Sequence, residues 1–78
     1  MEKYIKGNCV IFSKKETKKI IVRADKPIKV KKGSDTFKIK QGSYFETSIK
    51  YGEKITIIPP LSALFTLGDG IKINIEEY

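Results

Sequence analysis

Apolar and polar residues alternate along most of this chain, interrupted by a turn signal about every eight to ten residues, and that period of two predicts β-strands. The clearest case runs from Pro27 to Lys40. Ile28 and Val30, then Phe37 and Ile39, alternate with Lys29, Lys31, Lys38 and Lys40 on either side of Gly33-Ser34. The pattern predicts a β-hairpin with one apolar and one cationic face. Gly33 supplies the positive φ that a type II′ turn requires, and the two-residue loop sets Val30 opposite Phe37 and Ile28 opposite Ile39. The same register places Lys29 across from Lys38. Like charges facing each other across a ladder are destabilising, so such a face is either well solvated or meets something negative.

The rest of the chain divides at its turn residues. A first strand is expected from Tyr4 to Ser13, apolar on both faces at Cys9-Val10-Ile11-Phe12, followed by a polar turn at Lys14-Lys15-Glu16-Thr17. A second runs from Lys18 to Ala24 and ends at Asp25-Lys26-Pro27, since proline donates no ladder hydrogen bond. After the hairpin, Lys40-Gln41-Gly42 fits a three-residue loop with a glycine bulge, which would set Phe37 against Phe45 and Lys38 beside Tyr44. Two more strands follow. Tyr44 to Tyr51 carries Phe45, Ile49 and Tyr51 on one face, and Lys54 to Ile58 points Ile55 and Ile57 inward, with Ile49 expected to pair near Ile55.

Pro59-Pro60 cannot sit in a central strand and marks a corner where the chain crosses to another sheet or barrel side. Leu61 to Leu67 reads as an apolar strand, with one short helical turn over residues 60–64 as the alternative. Gly68-Asp69-Gly70 predicts a hairpin turn aligning Leu67 with Ile71 and Phe65 with Ile73. In the last strand Ile71, Ile73 and Ile75 alternate with Lys72, Asn74 and Glu76.

Composition reinforces the strand reading. Thirteen Ile against three Leu and two Ala favour strand over helix. The expected fold is all-β: a small SH3-like or OB-like barrel, or a compact β-sandwich, of seven to eight short antiparallel strands forming one domain over residues 1–78. A core this small is only just sufficient without disulfide or metal. Cys9 is the only cysteine and can close no intramolecular disulfide, which points to a reducing, intracellular (cytoplasmic) setting, or to a virion if the chain is an assembly component. The longest apolar run is four residues, no signal peptide is evident, and no membrane partner is expected. In composition the Lys-rich, Ala-poor texture is similar to that of small basic β-barrel chromatin proteins, with no shared motif.

Charge then changes the picture. The chain carries +7, and residues 14–40 alone carry +8, so the remainder is nearly neutral. Lys outnumbers Arg fifteen to one, a bias that an A+T-rich coding sequence also produces. With no His, triads and metal sites built on His are excluded. Cys9 lies in an apolar run and reads as a small buried hydrophobe. No Cys cluster for zinc, no paired carboxylates and no phosphate loop are present, and Gly68-Asp69-Gly70 lacks the oxygen ligands of a calcium loop. No enzyme activity and no cofactor or metal are expected.

What remains is the basic hairpin. Alternate residues on a strand are about 6.8 Å apart, so Lys29 with Lys31, and Lys38 with Lys40, could follow successive phosphates. Lys32 and Arg23 would add charge and Tyr44 a stacking platform. The expected function is sequence-nonspecific binding of nucleic acid or another polyanion. The plainer reading makes these lysines a solvated face that protects an edge strand from aggregation. Two other functions fit: a structural or assembly protein, such as a small phage or viral component, that self-associates or docks on a larger partner, and an inhibitor that docks on an acidic enzyme surface.

Overall fold

The computed structural model describes residues 1–13, 17–65, 68 and 70–78, and of Thr17, Lys18 and Leu64 the backbone alone. Eight strands form: β1 Glu2–Ile5, β2 Cys9–Phe12, β3 Thr17–Ala24, β4 Ile28–Lys32, β5 Asp35–Ile39, β6 Tyr44–Lys50, β7 Lys54–Ile58 and β8 Ile71–Glu77. A 3-10 helix, Leu61–Phe65, lies between β7 and β8. The strands make two four-stranded antiparallel sheets, a first sheet of order β1-β8-β3-β6 and a second of order β2-β7-β4-β5. The fold is all-β, as the alternation predicts. The two sheets do not form a closed barrel.

One core joins the two sheets. Its fully buried large side chains are Ile20, Val22, Ile49 and Ile73 from the first sheet and Val30, Ile55 and Ile57 from the second. All seven are β-branched, the side chains that fit best on a pleated surface. The burial alternates most clearly in β4, β7 and β8; in β8 Ile71, Ile73 and Ile75 are buried and the residues between them half-buried. Cys9, Ala24 and Ile39 pack against the margin of the core.

The expected hairpin from Pro27 to Lys40 forms in the expected register, Ile28 against Ile39, Lys29 against Lys38 and Val30 against Phe37. Gly33 has φ +61° and Ser34 a negative φ, the signs a type II′ turn requires. Among the described residues this β4–β5 pair is the only one between strands consecutive in sequence; every other link crosses from one sheet to the other. That crossing accounts for most departures from the sequence reading. The expected first strand is two strands: the chain bends at Lys6-Gly7, so β1 joins β8 while β2 joins β7. Of the expected turn over residues 14–17, residues 14–16 lie outside the described residues and Thr17 already belongs to β3.

Past β5, the Ser43 N–H donates to the Lys40 carbonyl (3.0 Å) and closes a four-residue turn with Gly42 at positive φ. It redirects the chain instead of folding β6 back on β5, and β6 pairs with β3. The Phe37 and Phe45 rings do meet, centroids 5.1 Å apart, but between sheets and not across a ladder. Ile49 and Ile55 likewise lie in opposite sheets, and Tyr51 falls in the exposed turn after β6.

Pro59-Pro60 is a corner, as expected, because the chain leaves the second sheet there and re-enters the first at β8. Leu61–Phe65 is not a strand. Its 3-10 turn starts with the Ala63 N–H donating to the Pro60 carbonyl (3.0 Å); Ala63 is buried while Leu61 and Phe65 are exposed. Leu67 and Asp69 of the expected hairpin lie outside the described residues. Ile71 and Ile73 instead face Ile5 and Lys3 of β1, with Ala24 on the other side of Ile73.

Candidate nucleic-acid interface

Burial of Ile28 and Val30 turns their neighbours Lys29 and Lys31 to the outer face of the second sheet. The ladders then fix the cross-strand rows. Lys29 stands between Lys38 and Ile58, and Lys31 between Thr36 and Thr56. Thr56 is flanked on its other side by Val10, and Lys54 by Phe12. The outer face therefore presents Lys29, Lys31, Lys38 and Lys54, all exposed, with Phe12 57% and Val10 43% exposed along the edge strand β2.

No carboxylate occupies an outward position of this sheet. Glu53, just before β7, accepts a hydrogen bond from the Lys50 N–H and borders this face, lining a pocket with Lys31, Lys54 and Thr56. Asp35 opens β5 on the opposite parity, paired with Lys32. Among the described residues, Lys29, Lys31, Lys38 and Lys40 have no ion-pair partner. Lys40 is exposed just beyond β5, beside a groove that Pro59, Pro60 and Leu61 help to line.

The outer face of the first sheet has the opposite character. Most of its outward cations are paired, Lys19 with Glu46 (2.7 Å), Arg23 with Glu76 (3.1 Å) and Lys72 with Glu2 (3.4 Å), while Lys50 at the end of β6 has no carboxylate partner among the described residues. The hydrogen bond to Glu46, reinforced by its charge, holds the Lys19 ammonium above its ordinary pKa. Tyr78 donates its hydroxyl to Glu76 (2.9 Å), and this raises the phenol.

Three of the residues assigned to the site from sequence do not join it. Arg23 and Tyr44 face each other on the first sheet, the guanidinium 5.6 Å from the ring centroid, because β6 crosses to β3 instead of pairing with β5. Tyr44 is therefore not beside Lys38. Lys32 has the inward parity of Val30 and reaches across to β6, where its ammonium donates to Thr47 Oγ1 (3.1 Å) and to the Ser48 carbonyl (2.8 Å). It ties the sheets together. Lys29, Lys31 and Lys38 share one face, with Lys40 at its end.

Sequence reasoning missed Phe12, Val10 and Lys54 as members of this face. The signal was present in the doubly apolar run at Cys9–Phe12, but only the β2–β7 ladder says which sheet receives it. Among the described residues no helix is long and apolar enough to cross a membrane, and no cluster of three or more His, Cys, Asp or Glu could hold a metal. Comparison with family models, curated proteins and solved structures found no match.

Proposed function

We propose that this protein is a non-enzymatic β-sandwich module that binds nucleic acid without sequence preference on the outer face of its second sheet. The observation that carries the reading is the segregation of charge: one outer face pairs Lys19, Arg23 and Lys72 with carboxylates, and the other presents Lys29, Lys31, Lys38 and Lys54 with no carboxylate at an outward strand position. Facing lysines such as Lys29 and Lys38 repel, and a phosphate between them removes that cost. Lysine acts on phosphate as a point charge, and the only arginine is engaged on the other sheet. Base-edge reading is therefore not expected.

A salt series tests this. Four engaged phosphates give a log–log slope of about −3.6 on duplex DNA and about −2.8 on a single strand, and Lys29→Glu with Lys38→Glu flattens either one. A second reading, self-assembly, is favoured by the exposed Val10 and Phe12 on β2, an edge strand with one side unpaired. Light scattering on the same samples separates the two. A mass above that of one chain, with no oligonucleotide bound at low salt, would overturn nucleic-acid binding in favour of assembly.

A further inference from the structure

Where β4 begins and β5 and β7 end, the cationic face opens into a groove of about 670 Å³. Its walls are aliphatic, built from Pro27, Ile39, Ile58, Pro59, Pro60 and Leu61, and neither a carboxylate nor a hydroxyl lines it. Among the described residues its charged lining is Lys29, Lys38 and Lys40. Leu61 is 77% exposed although it forms part of this wall. Such a site fits a ligand that is apolar in one part and anionic in the next. A duplex offers only its phosphates and keeps its bases stacked inside, whereas a single strand offers phosphates and unpaired bases together.

Lys29 and Lys38 belong both to the face and to the groove, so a phosphate held between them brings its neighbouring base to the groove's mouth. Four residues along β7, about 14 Å away, Lys54 stands beside the exposed ring of Phe12, a second apolar platform at the far end of the lysine track. From this arrangement, and resting on the nucleic-acid reading above, we infer that the groove seats an unpaired base and makes the protein select single strands over duplex. Bases pack there by dispersion against proline, isoleucine and leucine. With no side-chain hydrogen-bond acceptor in the walls, the groove takes any base.

The test compares three labelled ligands by fluorescence anisotropy at one low ionic strength: a short oligothymidine, an abasic oligomer of equal length and charge, and a duplex. The oligothymidine should bind about tenfold more tightly than the abasic oligomer, a margin at the lower end for base packing since no aromatic ring lines the groove. It should also outcompete the duplex. Leu61→Ser, at a side chain already exposed, should remove most of that margin and leave abasic affinity unchanged, with circular dichroism checking the fold. Equal, salt-sensitive affinity of the wild-type protein for all three ligands would overturn the inference and leave the polyanion reading standing; laurate binding weakened by Leu61→Ser would then assign the groove to an acyl anion. No oligonucleotide binding at low salt would overturn both.

Discussion

Lys31 and Lys32 are adjacent in sequence and differ only in which way the strand turns them, so replacing each with methionine separates the proposed binding face from the framework. Lys32 donates two hydrogen bonds across the sheets, to Thr47 and Ser48, from a half-buried position. Hydrogen bonds involving a charged group contribute about 1.5–3 kcal/mol when well shielded; partial exposure brings the pair to about 1–2 kcal/mol in total. A chain of this size has about 4–12 kcal/mol of stability, so Lys32→Met should be plain in urea unfolding and lower Tm by roughly 4–8 °C per kcal/mol. Its salt slope for oligonucleotides should be unchanged. Lys31 is exposed between two threonines, so Lys31→Met should alter stability by no more than about 0.5 kcal/mol. It should lower the magnitude of the slope by about 0.7 on a single strand or 0.9 on duplex. If Lys32→Met flattened the slope as much as Lys31→Met and left unfolding untouched, the sheet-to-sheet tie would be refuted and Lys32 would belong to the face.

Three further outcomes follow from the same geometry. Gly70 has φ +99°, and a Cβ there would come within 2.6 Å of the Ile5 carbonyl carbon and closer still to its oxygen; Gly70→Ala should cost about 2–4 kcal/mol by adding left-handed strain of about 1–2 kcal/mol to partial loss of Ile5 burial. Gly42→Ala, with positive φ but open space, should show the strain alone in the same urea titration. Lys38→Glu should move function and stability in opposite directions, weakening oligonucleotide binding while the new pair with Lys29 raises stability by about 0.2–1 kcal/mol, read from paired anisotropy and thermal melts. Tyr78, raised by its bond to Glu76, should titrate above the ordinary tyrosine value of about 10 by NMR, and Glu76→Gln should bring it down. Because the folded pKa is the higher one, the contact's contribution is fully present below pH 10 and is lost as pH rises through the raised value.

Alternation told which residues share a face of a strand, and it did so well: β7 has the expected bounds, and the β4–β5 hairpin the expected register. It carries no information on which sheet a strand joins. A tight turn at Lys40–Ser43 and another after Lys50 look in sequence like hairpin turns, yet both send the chain to the opposite sheet. Tyr44 was therefore misplaced by a correct turn and a wrong partner. Phe37 and Phe45 illustrate the same point from the other side, since both are inward-facing residues at sheet edges that meet across the open side of the molecule. The helical alternative for residues 60–64 was legible because consecutive prolines exclude a strand at its start. The groove was not, because its walls come from three separated segments that only the second sheet assembles.

The surplus of lysine bears differently on the candidate site once the sheets are known. A coding bias that favours lysine raises its number everywhere and is blind to the parity of a strand and to the sheet it joins. The carboxylates, by contrast, are unevenly placed: Glu2, Glu46 and Glu76 pair with cations of the first sheet, while the outward positions of β2, β4, β5 and β7 hold none. Protection of the β5 edge alone calls for lysine on β5, but it does not call for Lys29, Lys31 and Lys54 on β4 and β7, where both strand edges are already paired. Self-repulsion on such a face lowers the stability of a fold with a small core. A bound polyanion turns that cost into binding energy, and this is the physical reason to test the face with nucleic acid first.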